Sequence, residues 1–228
     1  MLDLVGYPNN VNRAVKEFWK TRSKSGVLAG KTLDGFRKII TAIISANGLP
    51  KAEIKFEKKL LTLPGFFRPT KQWDMTILNH GRLVAALEFK SQVGSFGNNF
   101  NNRSEEAIGS AVDFWTAYRE GAFGKDAQKP FLGWFMLLEE SPNSTTKVTD
   151  VCVNFSIFPE FVGASYSERY NLLCRKLIQE QLYTSAAVIL SPNSAIKTGQ
   201  FSEMSTLTGI RAFITNFAGH IAAEATRG

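Results

Sequence analysis

The sequence predicts an α/β fold, a mixed central sheet flanked by helices with a helical N-terminal part in front of it. Three observations carry this. Apolar residues recur at helical spacing through the first third; the pattern then switches to short β-rich runs around Asn79-His80-Gly81; and Phe131 to Leu138 is an almost wholly apolar run of strand length.

Each element has its own signal. From Asn10 to about Ser23, Val11, Val15, Phe18 and Trp19 fall on one helical face, with Asn10 placed to cap it. Leu33 to Ala46 repeats the pattern with Phe36, Ile39, Ile40, Ile43 and Ile44, and Gly48-Leu49-Pro50 stops it. Lys51 to Leu61 reads as a third, basic helix. Trp73 to Leu78 and Leu83 to Phe89 read as a hairpin closed by the three residues 79–81, with Gly81 in the left-handed conformation. A polar stretch leads to a helix from Glu105 to Arg119, with Asn102 and Glu105 spaced as a capping pair. Phe131 to Leu138 is a buried central strand reached through that helix, which makes the sheet mixed. Val151 to Phe158 reads as a further strand, Tyr166 to Tyr183 as a helix, Ala186 to Leu190 as a short strand and Ser205 to Ala225 as the last helix. No repeat or linker divides the chain, so a single domain over 1–228 is expected, with 1–62 its helical basic part and 63–228 its core and C-terminal helices.

Composition narrows the function. No apolar stretch approaches membrane-spanning length, and Met1-Leu2-Asp3-Leu4 lacks the pattern of a secretory leader, so a cytoplasmic protein is expected. Cys152 and Cys174 have no metal-ligand spacing and read as buried, reduced thiols. The net charge is +7, and it is uneven: residues 1–70 hold 13 basic and 5 acidic residues, leaving −1 for the rest. A basic segment beside a near-neutral body suits a polyanion such as nucleic acid, although a solvated basic surface would look the same.

The chemistry lies at the end of one strand. Leu83-Val84-Ala85-Ala86-Leu87-Glu88-Phe89-Lys90 is apolar until Glu88 and Lys90 emerge on one face, two residues apart. Buried charge at a strand end is costly unless that end opens into a polar cleft. Asp74 lies in the strand across the hairpin. With a three-residue loop it faces Ala86 and sits diagonal to Glu88, roughly 7–8 Å away at Cα; with a two-residue loop it swings to the other face. Two carboxylates with the Leu87 or Phe89 carbonyl, the latter the better candidate, make an oxygen site suited to Mg²⁺ rather than zinc. Lys90 is placed to hold a water or to neutralise a phosphate. The set Asp74, Glu88 and Lys90 is sufficient for phosphodiester hydrolysis without a covalent intermediate.

Asp-x13-Glu-x-Lys across a hairpin, followed by a helix and a buried strand, resembles the PD-(D/E)xK nuclease superfamily. The longer runs 67–74 (Phe-Arg-Pro-Thr-Lys-Gln-Trp-Asp), 86–94 (Ala-Leu-Glu-Phe-Lys-Ser-Gln-Val-Gly), 95–103 and 115–121 are similar to the XhoI-type restriction enzymes, most strongly over 64–124. Trp73 stands before Asp74 where the signature has proline. The resemblance implies a Mg²⁺-dependent type II restriction endonuclease, a homodimer that cuts both strands of a palindromic site in double-stranded DNA, CTCGAG for XhoI-type enzymes. It carries over Asp74, Glu88 and Lys90 as catalytic. Many relatives add a glutamate from an earlier helix; Glu53 and Glu57 are the candidates, the alternative being two surface acids.

For DNA recognition, Ser91 to Arg103 reads as a loop rich in Asn, Gln and Arg, side chains that pair with adenine and guanine edges. Gln92, Asn98, Asn99, Asn101 and Arg103 are the candidates; a polar surface loop is the alternative. Lys51, Lys55, Lys58, Lys59 and Arg68 would meet phosphates. His80 and His220 have no catalytic partner in the pattern, and Glu139 is a weaker candidate to support the site. Two competing readings remain: a DNA-binding module on a nuclease fold that does not cut, and a repair or junction nuclease that recognises structure. A sugar hydrolase with Asp74 and Glu88 as its acid pair is disfavoured by Lys90 and the basic first third.

Overall fold

The computed structural model describes residues 1–25, 32–56 and 58–227. In chain order the elements are α1 (Asn9–Ser25), α2 (Asp34–Ala46), β1 (Glu53–Lys55), β2 (Thr62–Pro64), β3 (Thr70–Gln72), β4 (Met75–Asn79) and β5 (Arg82–Gln92). There follow α3 (Phe96–Arg119), β6 (Phe131–Glu139), α4 (Pro142–Thr145), α5 (Tyr166–Gln179), β7 (Ser185–Ser191), α6 (Ala195–Thr198), β8 (Ser202–Glu203) and α7 (Ile210–Ala225). A six-stranded sheet runs in the order β1-β4-β5-β6-β7-β8, and β2 and β3 form a separate ribbon. The β5–β6 and β6–β7 pairs are parallel and the others antiparallel, so the sheet is mixed as the sequence predicts.

Both faces of the sheet are covered, which is why the central strands are apolar throughout. Alternation divides each strand between two cores. Ala85, Leu87, Phe135, Leu137, Ala187 and Ile189 face one core with α1, α2 and α7; Ala86, Trp134, Met136, Ala186 and Val188 face the other with α3 and α5. Helix α5 starts at a reciprocal cap in which Ser165 Oγ accepts from Glu168 N–H while the Glu168 carboxylate accepts from Ser165 N–H. Among the described residues, no helix is long and apolar enough to cross a membrane.

The structure departs from the sequence reading in five places. The expected basic helix over Lys51 to Leu61 is instead a strand, Glu53–Lys55, and a short 3-10 turn at Lys58–Leu61. Pairing with β4 gives that strand backbone partners which outweigh its local helix propensity. The hairpin loop is two residues, His80 and Gly81, both at positive φ, with Asn79 paired to Arg82. Helix α3 begins nine residues early, at Phe96, so the stretch read as a loop is mostly helix. Phe96 and Phe100, four apart, pack on Tyr166 and Tyr170 of α5 and hold this Asn-rich turn in place. The segment 151–158 forms no strand: β7 already occupies the free side of β6, and Val151, Val153 and Phe155 are exposed. Finally, Cys174 is buried as expected but Cys152 is exposed; burial pushes the Cys174 thiol pKa up.

Candidate active site

The β4–β5 register decides whether two acids meet. A two-residue loop alone would turn Asp74 to the wrong face. The ladder corrects itself between Ile77 and Leu78: Leu78 pairs with Leu83 but Ile77 pairs with Ala85, which leaves Val84 as an extra residue on β5. Beyond this bulge Thr76 pairs with Ala86 and Met75 with Leu87. The pairing is displaced by two residues from the diagonal arrangement expected, so the parity is preserved. Asp74 consequently straddles Glu88. Its N–H donates to Leu87 O (3.1 Å), and its carboxylate accepts from Phe89 N–H (2.9 Å). The other Asp74 oxygen faces Arg37 Nη2 of α2 at 3.9 Å.

Glu88 is 2% exposed and its charge is balanced by lysines. Lys71 Nζ of β3 donates to Oε1 at 2.5 Å while lying over the Trp73 ring, and Lys90 Nζ stands 3.8 Å from the same oxygen. Tyr183 OH approaches Oε2 at 3.4 Å and donates to Ala107 O at 3.1 Å. Burial first, and then the Glu88 charge, push the Tyr183 hydroxyl pKa well up, so it stays a neutral donor. Lys90 also donates to Glu106 Oε1 of α3 (2.8 Å), whose second oxygen takes Arg103 Nη1 (2.8 Å). Burial alone would lower the Lys90 pKa, but the carboxylates of Glu88, Asp74 and Glu106 outweigh it and raise the value. Glu106 shows the mirror image: burial acts upward, Lys90 and Arg103 act downward, and its carboxyl sits below the usual range.

The open end of β5 forms one wall of a cleft of about 510 Å³ that includes Arg22, Arg37, Asp74, Lys90, Gln92 and Arg103. Behind it, Asp113 pins the approach to β3, accepting from Phe66 N–H and Phe67 N–H (2.8 Å each) and from Arg68 Nε (2.7 Å). Glu139 is near but structural, taking Gly94 N–H at 3.0 Å.

The structure thus brings together Asp74, Glu88 and Lys90, and places Phe89 beside them. It does not bring Glu53 to them. Glu53 pairs with Lys55 (2.5 Å) and faces Leu78 at the hairpin end, four residues from Asp74, or about 14 Å along a strand. Glu57 lies outside the described residues, and no side chain is described for Lys58 or Lys59. Lys51 is exposed in a turn, and Arg68 is committed to Asp113. Gln92 is buried and donates to Gly94 O. Asn99 and Arg103 line the cleft four residues apart on α3, whereas Asn98 and Asn101 are exposed and outside that lining. His80 is an exposed turn residue, and the His220 ring contacts Val84 O at 3.0 Å.

Sequence reasoning missed Lys71, Glu106, Tyr183 and Arg37. Glu106 had a usable signal, since Asn99, Arg103 and Glu106 form an i, i+4, i+7 stripe once the helix is started at Phe96. Tyr183, 95 residues from Glu88, had none.

Hard carboxylate oxygens without histidine or thiolate suit a small divalent ion. Among the described residues no three His, Cys, Asp or Glu side chains gather as a metal cluster, and the oxygens that could hold an ion here are the carboxylates of Asp74 and Glu88 with a main-chain carbonyl. The set fits: the Lys71 ammonium already marks the place where Glu88 takes a cation, and Leu87 O is engaged by Asp74 N–H, which leaves Phe89 O as the carbonyl to complete it.

Comparison with known proteins is consistent with this chemistry. Residues 17–203 match the family described as restriction endonuclease XhoI. The chain is 46% identical to the type II restriction enzyme XhoI of Xanthomonas vasicola, over 84% of this chain and 83% of that protein. It is 42% identical to the type II restriction enzyme BstVI of Geobacillus stearothermophilus, over 90% and 93%. It is 49% identical to the type II restriction enzyme AbrI of Azospirillum brasilense, over 68% and 76%. No solved structure matches it.

Proposed function

The chain belongs to the XhoI family of type II restriction endonucleases, and on that premise we propose that it hydrolyses both strands of duplex DNA at CTCGAG, as a Mg²⁺-dependent homodimer in the cytoplasm. The observation that carries the site assignment is the buried Glu88 carboxylate beside Lys90, with Asp74 straddling it and both Asp74 and Lys90 lining a cationic cleft.

Asp74, Glu88 and Phe89 O would hold the ion. When bound it would supply a water of lowered pKa and a positive charge for the phosphate. The remaining work belongs to the chain. Lys90, held charged by three carboxylates, orients the attacking water and offsets the charge that builds on the phosphorus oxygens. Glu106 is a positioning residue: through its two oxygens it fixes Lys90 and Arg103 relative to each other. The water oxygen bonds to phosphorus, the opposite phosphorus–oxygen bond breaks, and the leaving oxygen takes up a proton. Tyr183, neutral and buried, keeps Glu88 in place from behind.

Gln92, Asn99 and Arg103 read or hold the DNA within the cleft, with Asn98 and Asn101 on the outer helix face. Lys51 and Lys55 contact phosphates farther along the duplex. The deciding experiment incubates the protein with plasmid DNA and Mg²⁺ and sequences the product ends. Uniform ends within CTCGAG are expected. Uniform ends in another sequence would refute that site alone, ends dictated by DNA structure would point to a repair nuclease, and tight binding without cutting would refute the endonuclease.

A further inference from the structure

Among the described residues, two buried nitrogens belonging to arginines of the cleft lining have no partner. Arg37 Nη1 is bonded to Asp34 (3.1 Å) and its Nη2 is 3.9 Å from Asp74, yet its Nε has no acceptor. Arg103 donates through Nη1 to Glu106 (2.8 Å), and its Nε is also unpaired. A buried donor without an acceptor is costly and uncommon, and both of these line the same cleft. They come from opposite sides of the sheet. Helix α2 packs on one core and α3 on the other, and their arginines converge where β5 ends, with Asp74 and Lys90 in the same lining. Among the described residues, four cations, Arg22, Arg37, Lys90 and Arg103, line this cleft against one acid, Asp74.

We propose that Arg37 and Arg103 form a clamp for a single DNA phosphate, the one at which the strand is cut. The assignment rests on the endonuclease reading and deepens it. Each guanidinium keeps one nitrogen engaged with a protein carboxylate and stands in the cleft lining with donors left for an anion, and phosphate oxygens match that fork. Arg103 is thereby moved from reading a base to holding the backbone. Its tie through Glu106 to Lys90 sets it at the depth of the reacting phosphate. Arg37 brings the basic N-terminal helices into the site.

The test uses the metal-free protein in EDTA and a labelled duplex whose cut phosphate is known from the end sequencing. Affinity is measured across a salt series for the normal duplex, a duplex with a neutral methylphosphonate at the cut position, and a duplex lacking the site. Arg37→Ala and Arg103→Ala should each weaken binding about tenfold on every duplex that keeps the phosphate charge, and flatten the salt slope by about 0.9. The methylphosphonate should weaken the unaltered protein more than either single variant and add little to the Arg37→Ala/Arg103→Ala double variant, because the lost charge and the lost arginines are one interaction. Equal methylphosphonate losses in variant and unaltered protein would overturn the clamp, as would an Arg103→Ala loss confined to the site-containing duplex. If an alanine variant does not fold, Arg37→Gln or Arg103→Gln removes the charge with less loss of volume and carries the same comparison. Unaltered protein that neither binds nor cuts any duplex would instead remove the endonuclease reading, and the clamp with it.

Discussion

Replacing Lys71 with methionine should destabilise the ion-free protein and sensitise it to divalent ions. The Lys71 ammonium and the Glu88 carboxylate are 2.5 Å apart, with side chains 10% and 2% exposed. Removing one member of a buried pair leaves the other charge unmatched, which costs about 3–5 kcal/mol. Lys90 stands 3.8 Å from the same oxygen and recovers part of this, so we expect a loss of about 2–3 kcal/mol. Methionine keeps most of the volume over Trp73, which limits the packing contribution. The same substitution removes the cation that a metal must displace, so Ca²⁺ or Mn²⁺ should bind the variant about tenfold more tightly, equivalent to about 1.4 kcal/mol. Urea unfolding in EDTA and in saturating Ca²⁺, with calorimetry for the ion, measures both effects. The stability gap should be wide in EDTA and narrow in Ca²⁺, because an ion bound only to the folded state adds RT ln(1 + [L]/Kd). An unchanged stability in EDTA, or a gap indifferent to Ca²⁺, would refute the reasoning. Glu88→Gln, which removes a carboxylate from the ion site, serves as the control, and its stability should not respond to Ca²⁺.

Two further outcomes follow from packing and charge. A Cβ at Gly133 would lie 2.4 Å from Leu87 Cδ2 and 2.9 Å from Phe131 Cε1 and Phe213 Cζ; Gly133→Ala should cost about 1–3 kcal/mol, and at 2 kcal/mol lower Tm by about 4–8 °C in a thermal melt. The residue it displaces adjoins Glu88, so plasmid cutting should fall as well. Burial against Phe131 depresses the His220 pKa below its ordinary 6.5 despite the contact with Val84 O. Between its folded and unfolded values the unfolded chain binds the extra proton, so this stabilisation is complete above about pH 6.5 and is lost as pH falls through the depressed value. His220→Gln should flatten that stretch of the acid limb in urea melts taken across pH.

What could be read from the sequence divides along a physical line. Asp74, Glu88 and Lys90 stood out because a strand buried on both faces tolerates charge only where it opens to a cleft, and period-2 alternation then fixes which charges meet. The buried central strand over Phe131 to Leu138 was legible from its unbroken apolar run. Local pattern failed where partners distant in the chain decide the conformation. Phe96 and Phe100 make a helix of an Asn-rich stretch only because Tyr166 and Tyr170 await them on α5. Glu53–Lys55 becomes a strand only because β4 offers an edge. Tyr183 reaches Glu88 across the sheet, and nothing near either residue announces it.

The hairpin shows how Asp74 still meets the strand beside Glu88 although the loop is shorter than expected. The expected three-residue loop and the observed two-residue loop differ by one residue, which in an uninterrupted ladder would reverse every side chain of β4 relative to β5. The bulge at Val84 adds a second offset of one. Two single offsets restore the parity, and parity alone decides whether Asp74 and Glu88 share a side. The altered register does change their relation, from diagonal neighbours to residues in main-chain contact, with Asp74 bonded on either side of Glu88. The carboxylate that accepts Phe89 N–H is held by the strand that carries Glu88 and Lys90, so the two acids and the lysine are placed by one short stretch of backbone. A site built this way tolerates variation in the turn, provided the loop and the bulge together displace the ladder by an even number of residues.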